Sequence, residues 1–118
     1  MKFCVPIPCF FSKLAFEEAV KRARALGYAA VETYNWKSLD LPAARQACEE
    51  HGVTFVSMCT TEFRMTDPAY RQKWLDGLAE TCEAAQIAGV KKLITQVGPD
   101  TGARREFQHE QIATTLKL

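Results

Sequence analysis

The sequence predicts an α/β protein: a partial (β/α)8 TIM barrel of about four βα units, with parallel strands and outer helices. Three observations predict it. A helix-like stretch ends at a glycine and passes at once into an apolar strand three times: Gly27 into Tyr28-Ala29-Ala30-Val31-Glu32, Gly52 into Val53-Thr54-Phe55-Val56-Ser57-Met58, and Gly89 into Val90-Lys91-Lys92-Leu93-Ile94-Thr95. A further strand-like segment over 2–7 precedes them, so strand and helix alternate from the start, and right-handed βαβ crossovers are the default connection. The later strands are short apolar runs without clean polar alternation, which reads as strands covered on both faces, as in a parallel sheet with helices outside. A closed barrel of this kind takes ~250 residues. The 118 residues here are therefore expected to be one domain, the N-terminal half of such a barrel, breaking off inside its fourth helix.

Each element has its own signals. The first strand carries Pro6 and Pro8, which cannot donate to a ladder and argue for an edge position. Being two residues apart, they leave their missing N–H groups on one side, expected to face away from the second strand. The first helix spans roughly 14–26, with Phe16, Ala19, Val20, Ala23 and Leu26 as one apolar stripe. Glu17 and Glu18 precede Lys21, Arg22 and Arg24, the order that the helix dipole favours. The second helix starts near Asp40 or Leu41, has Pro42 in its first turn, buries Ala44, Ala47 and Cys48, and ends at His51-Gly52. The third has Asp67 as N-cap and Pro68 at its first position. Its stripe is Tyr70, Trp74, Leu75, Leu78, Cys82 and Ala85. The fourth follows Gly98-Pro99-Asp100-Thr101-Gly102, with Phe107, Ile112 and Leu116 as its inner face.

Composition excludes several classes. With 47% hydrophobic and 25% charged residues, disorder is not expected. The net charge of +1 demands no strongly basic face, so neither nucleic acid nor an anionic membrane is favoured as a partner. No apolar run approaches the ~18 residues of a membrane span. The N-terminal residues do not read as a signal peptide, which makes a cytoplasmic location the default. Cys4, Cys9, Cys48, Cys59 and Cys82 are odd in number and form no CxxC pair, so neither a disulfide framework nor a zinc knuckle is signalled. They are expected to be reduced, small hydrophobes in packed positions. Nucleotide-binding glycine motifs and HExxH are absent, and two histidines cannot make a polynuclear zinc site.

In β/α folds the site lies at the carboxyl ends of the strands. Of the residues collected there, Glu32, Trp36, Cys59, Thr60 and Gln96 are the candidates for lining a substrate; no catalytic or metal-binding residue is assigned. Glu32 directly follows an apolar strand, where a carboxylate can orient a hydroxyl, act as a base or ligate a metal, or simply accept structural bonds. Gln96, if buried, must find partners for its amide. Trp36 is either a pocket wall or a cover for the rim. Cys59 has no histidine near it in sequence and reads as an inert thiol. His51, at a helix end, reads as structural. Arg104-Arg105-Glu106-Phe107-Gln108-His109 is a solvated first helical turn on one reading. On the other, it carries an arginine reaching over the pocket toward a carboxylate substrate.

Several segments resemble one group of enzymes: Val31-Glu32-Thr33-Tyr34-Asn35-Trp36, Met58-Cys59-Thr60-Thr61-Glu62-Phe63, Thr66-Asp67-Pro68 and above all Leu93-Ile94-Thr95-Gln96-Val97-Gly98, continued by Arg105-Glu106-Phe107-Gln108-His109. They resemble the hydroxypyruvate isomerase group of the xylose-isomerase-like TIM-barrel superfamily, over about the first half of a family member. The resemblance implies aldose–ketose type chemistry on a small sugar or hydroxy-keto acid, through an enediolate held by a divalent metal of the Mg or Mn type. In that group the metal-binding and catalytic carboxylates come from later strands, so the fragment alone is expected to be inactive. The alternatives are a non-catalytic half-barrel that self-associates through its open edges, and a small doubly wound α/β binding domain.

Overall fold

In the computed structural model, which describes residues 3–62 and 64–117, three helices close on a left-handed glycine. Gly27, Gly52 and Gly89 have φ of 88°, 61° and 71°, a region in which any Cβ is strained. The residue after each glycine donates its N–H to the carbonyl five residues back. Tyr28 reaches Ala23 at 3.0 Å, Val53 reaches Cys48 at 2.9 Å and Val90 reaches Ala85 at 2.8 Å. This is the long bond of the Schellman motif, which satisfies an orphan carbonyl while turning the chain out of the helix.

The strands so launched are β2 (Ala30–Thr33), β3 (Thr54–Cys59) and β4 (Leu93–Ile94), and β1 (Cys4–Pro6) precedes them. They form one parallel sheet in the order β1-β2-β3-β4. The helices are α1 (Ile7–Phe10, a single turn), α2 (Phe16–Ala25), α3 (Leu41–Glu50), α4 (Arg71–Ala88) and α5 (Arg105–Thr115). Two compact units result. The first is Met1–Cys59 with Cys82–Ile94, and the second is Thr60–Thr81 with Thr95–Leu118.

The first unit holds the sheet and its core. Val5, Val31 and Phe55 are register partners, and Met58 pairs with Thr33. These four strand residues are buried in one cluster with Ala19, Val20 and Ala23 of α2, Ala44 and Cys48 of α3, and Ala84, Ala85 and Ala88 of α4. Phe16 sets its ring 5.3 Å from that of Phe55. The alternate strand positions Cys4, Ala30, Glu32, Cys59 and Ile94 are exposed or half-buried. The sheet is therefore packed against helices on one face, while among the described strand residues of the other only Ser57 is buried, which corrects the expectation of strands covered on both faces. The apolar runs look continuous because Val53 and Val90 are buried Schellman residues placed ahead of their strands. In the third strand, an irregularity in the pairing adds Val56.

The elements follow their caps with some shifts. β1 is an edge strand, as Pro6 requires. Pro8 sits in the first turn of α1 rather than in the strand, and Ile7 already begins that turn, so the strand ends at Pro6; Lys2 lies outside the described residues. Asp40 caps α3 by accepting from the Ala43 N–H at 3.0 Å. Asp67 accepts from the Ala69 N–H at 3.0 Å, but it opens a 3-10 turn, Pro68–Tyr70, that runs into α4. The buried residues of α4 are Trp74, Gly77, Thr81, Ala84, Ala85 and Ala88, and the expected core residue Cys82 is exposed. In α5 the inner positions are Gln108 and Thr115 with half-buried Ile112, whereas Phe107 is 42% and Leu116 58% exposed. A hydrophobic phase misplaces this helix because its buried polar residues are satisfied by hydrogen bonds. Among the cysteines, all free, only Cys48 is buried, and burial pushes its thiol up to about 11. Cys4, Cys9 and Cys82 are exposed, against the expectation of packed positions. No helix of the described residues is long and apolar enough to cross a membrane.

Met58 is fully buried, so Met58→Ala is expected to cost about 2–5 kcal/mol, whereas Phe107→Ala on the exposed side of α5 changes stability by about 0.5 kcal/mol or less. Urea titrations of the two variants separate these outcomes.

Candidate functional site

In the first unit, Glu32 is the acidic residue of the open sheet face. Val31 pairs with Phe55, but Glu32 pairs with Ser57, because the register shifts between Val31 and Glu32 and Val56 is passed over. The bulge brings a hydroxyl opposite the carboxylate where regular pairing would bring a valine. Ser57 donates through Oγ to Glu32 Oε2 at 2.8 Å. Bulges re-aim side chains in this way at functional sites.

Two thiols share this face. Cys4 of β1 is pushed up to about 11, by partial burial first and then by the charge of Glu32 and a hydrogen bond to it. Cys59, at the end of β3, is also raised, by burial and then by Glu32. Both thiols therefore stay protonated at neutral pH and are weak nucleophiles. Trp36 lies in the 3-10 turn Trp36–Ser38 that follows β2. Its side chain is part of the core and 6% exposed, and its Nε1–H donates to the Cys59 carbonyl at 2.9 Å. Glu32, Cys59 and Trp36 are thus brought together at the ends of two adjacent strands.

The second unit holds Thr60 and Gln96. Thr60 is buried, and its hydroxyl is 2.9 Å from the Thr95 hydroxyl and 3.2 Å from the Glu62 carbonyl. The Trp74 Nε1–H donates to Thr95 Oγ1 at 3.3 Å. Each hydroxyl then donates once along a chain from Trp74 to the backbone. Gln96 is exposed, so the partners that a buried amide would need are not required.

Three positions stand outside the candidate set taken from the sequence. Ser57 could not be found, because only the bulge places it. Glu62 is 7% exposed and faces two cations, Arg64 at 3.8 Å and Lys73 at 3.4 Å, while the Arg64 guanidinium lies 4.2 Å from the Tyr70 ring. Gln108, in the midst of a charged segment, is buried. Phe63 lies outside the described residues. His51 ends α3 as its C-cap, and His109 is exposed on α5.

The donor set does not fit a divalent metal. Around Glu32 stand a hydroxyl and two protonated thiols, and the Glu62 carboxylate is met by cations. Among the described residues no group of three or more His, Cys, Asp or Glu side chains is placed to hold an ion.

A parallel sheet in sequential order, helices packed on one face and polar residues at the strand ends define part of a (β/α)8 barrel. The family model of the xylose isomerase-like TIM barrel matches residues 20–117, and the chain belongs to that family. Three solved structures share its fold. An AP endonuclease, family 2, from Brucella melitensis has a TM-score of 0.87 at 16% identity, over 98% of this chain and 48% of that one. The 3-keto-D-glucoside 4-epimerase from E. coli has a TM-score of 0.77 at 16% identity, over 99% and 49%. Protein SMc04130 from Sinorhizobium meliloti has a TM-score of 0.67 at 20% identity, over 98% and 45%. The chain spans about half the length of each. No curated protein matches it.

Two outcomes follow from the electrostatics. Glu32→Gln removes the charge that, after burial, helps to hold the Cys4 and Cys59 thiols protonated, so iodoacetamide is expected to alkylate both faster than in the parent, as read by peptide mass spectrometry. Asp100 is held below its usual range by the Gly102 N–H and then by Gln108. A depressed carboxylate stabilises above its unfolded pKa and loses that contribution as pH falls through the folded value. The Asp100–Gln108 bond is therefore expected to persist to a lower pH than that at which an unperturbed aspartate takes up its proton, as read from the pH dependence of the Gln108 side-chain NMR shifts.

Proposed function

We propose that this chain is the N-terminal part of a hydroxypyruvate isomerase-like or sugar isomerase–epimerase enzyme, and that its share of the work is to line the substrate. The observation that carries the reading is the Glu32 carboxylate at the end of β2, on the open sheet face, oriented by Ser57 at 2.8 Å. A fixed carboxylate can accept a substrate hydroxyl and set its orientation, which is what moving a proton between adjacent carbons needs. Cys59 adds a protonated thiol beside it, and Trp36 stiffens the floor by tying one strand end to the next. Thr60 and Gln96, the remaining candidates from the sequence, follow β3 and β4 and lie in the second unit. The epimerase among the structural neighbours, by its name a sugar enzyme, supports the substrate class. The reaction's divalent metal finds no donor set among the described residues, so no step is assigned to it.

The test is a titration of the purified chain with hydroxypyruvate, with turnover followed in the presence of Mg²⁺ or Mn²⁺. The amides of Glu32, Ser57 and Cys59 are expected to shift in heteronuclear NMR spectra, Glu32→Gln is expected to abolish those shifts, and no turnover is expected. Metal-dependent turnover by the chain alone, or unmoved amides, overturns the reading. A second reading, self-association, is favoured by the unpaired outer edges of β1 and β4 at the ends of the sheet and by Ile94, 41% exposed on the open face. A discrete dimer by light scattering in the same samples supports it, and a monomer rejects it.

A further inference from the structure

The second unit contains a cleft of about 350 Å³ lined by Thr66, Pro99, Asp100, Arg105, Gln108 and His109, among others. Its frame is built by buried polar groups. Gln108, 8% exposed, donates through Nε2 to Asp100 Oδ1 at 2.8 Å and to the Ala103 carbonyl at 2.7 Å. Its Oε1 accepts from the Thr101 N–H at 3.2 Å. From the other side, Thr66 donates through Oγ1 to the Pro99 carbonyl at 2.9 Å, and its N–H donates to the Val97 carbonyl at 3.3 Å. The loop between β4 and α5 is thus cross-linked twice. A cleft held this way costs little ordering when a ligand enters.

The groups left at its rim are of a different kind. Arg105 and His109 stand four residues apart on α5, so they share one face of the helix. Both are exposed; neither makes a hydrogen bond or a close ion pair among the described residues, and Arg105 acts on Asp100 only through its charge, behind the bonds from Gly102 and Gln108. The helix has no side-chain cap at Arg104, which leaves its first N–H groups and the positive end of its dipole facing out. Glu106 pairs with Arg104 at 3.8 Å and does not line the cleft. Asp100 does line it. Its Oδ1 takes the bonds from Gly102 and Gln108, and its second oxygen remains to accept from a ligand. A cation, an imidazole and a helix start call for an anion, while the neighbouring carboxylate calls for a hydroxyl and opposes a doubly charged phosphate.

We propose that this cleft binds a small hydroxy-carboxylate, its carboxylate on Arg105 and His109 and its hydroxyl on Asp100. None of these residues belongs to the set assigned to Glu32's face, so the two readings fail separately. The test is a heteronuclear NMR titration of the chain with D-glycerate, with glycerol and inorganic phosphate as comparison ligands. Saturable shifts are expected at Gly98, Asp100, Arg105 and His109, with weaker binding of both comparison ligands. Arg105→Gln, at an exposed position, is expected to weaken glycerate binding about tenfold, the scale of one lost charge-assisted bond, while Glu32→Gln leaves it unchanged. An Arg105→Gln variant with unaltered affinity, or phosphate binding as tight as glycerate, overturns the proposal. Shifts confined to Glu32 and Ser57 also overturn it, and they leave the reading of Glu32 intact.

Discussion

The structure depends on one repeated constraint: the bond from the residue after a left-handed glycine to the carbonyl five residues back. It occurs at Tyr28, Val53 and Val90, and each time it decides where a helix stops and which way the next strand sets out. The hydrophobic contribution follows from that geometry. Val53 and Val90 are buried as they leave the cap, which anchors the start of the strand. Parallel strands need such crossovers, because no tight turn can connect them. With the reversal repeated at each unit, β1 to β4 lie side by side in chain order.

That constraint was legible because glycine is the residue for which a positive φ carries no steric cost. Asp40 and Asp67 were legible for a similar reason, since a short acceptor side chain ahead of a proline has a defined local role. What could not be read were the places where tertiary bonds override local preference. Phe107 and Leu116 look like the inner face of α5, yet Gln108 and Thr115 occupy it. Gln108 reaches three partners that no periodicity reveals. The candidate site divides along the same line. Glu32 stood out as a carboxylate at a strand end, but its partner Ser57 depends on a bulge that leaves no mark in an apolar run.

Gly77 shows the same logic inside a helix, where glycine costs about 1 kcal/mol relative to alanine. A Cβ there would come within 2.7 Å of Thr61 Oγ1. The missing side chain admits the loop that follows β3 close against α4. The same short stretch carries Thr60 and Glu62, both buried. Thr60 bonds to Thr95, and Glu62 lies near Arg64 and Lys73. A local loss of helix propensity is offset by polar bonds that the close approach permits.

Polar residues at the ends of these strands therefore fall into two kinds. Trp36, Thr60, Thr66 and Gln108 spend their hydrogen bonds on backbone carbonyls and, for Thr60 and Gln108, on the side chains of Thr95 and Asp100 as well, which fixes the loops at the cost of their capacity to bind anything else. Glu32, Arg105 and His109 keep charge or bonding capacity at half-buried or exposed positions, Glu32 oriented by Ser57 and the other two carried on the helix that holds Gln108. A rigid polar frame carrying a few unspent groups is what recognition of a small hydroxylated molecule requires, since the frame bears the ordering cost before the ligand arrives. The identity of a strand-end residue is a weaker guide to its role than whether its hydrogen bonds are already taken.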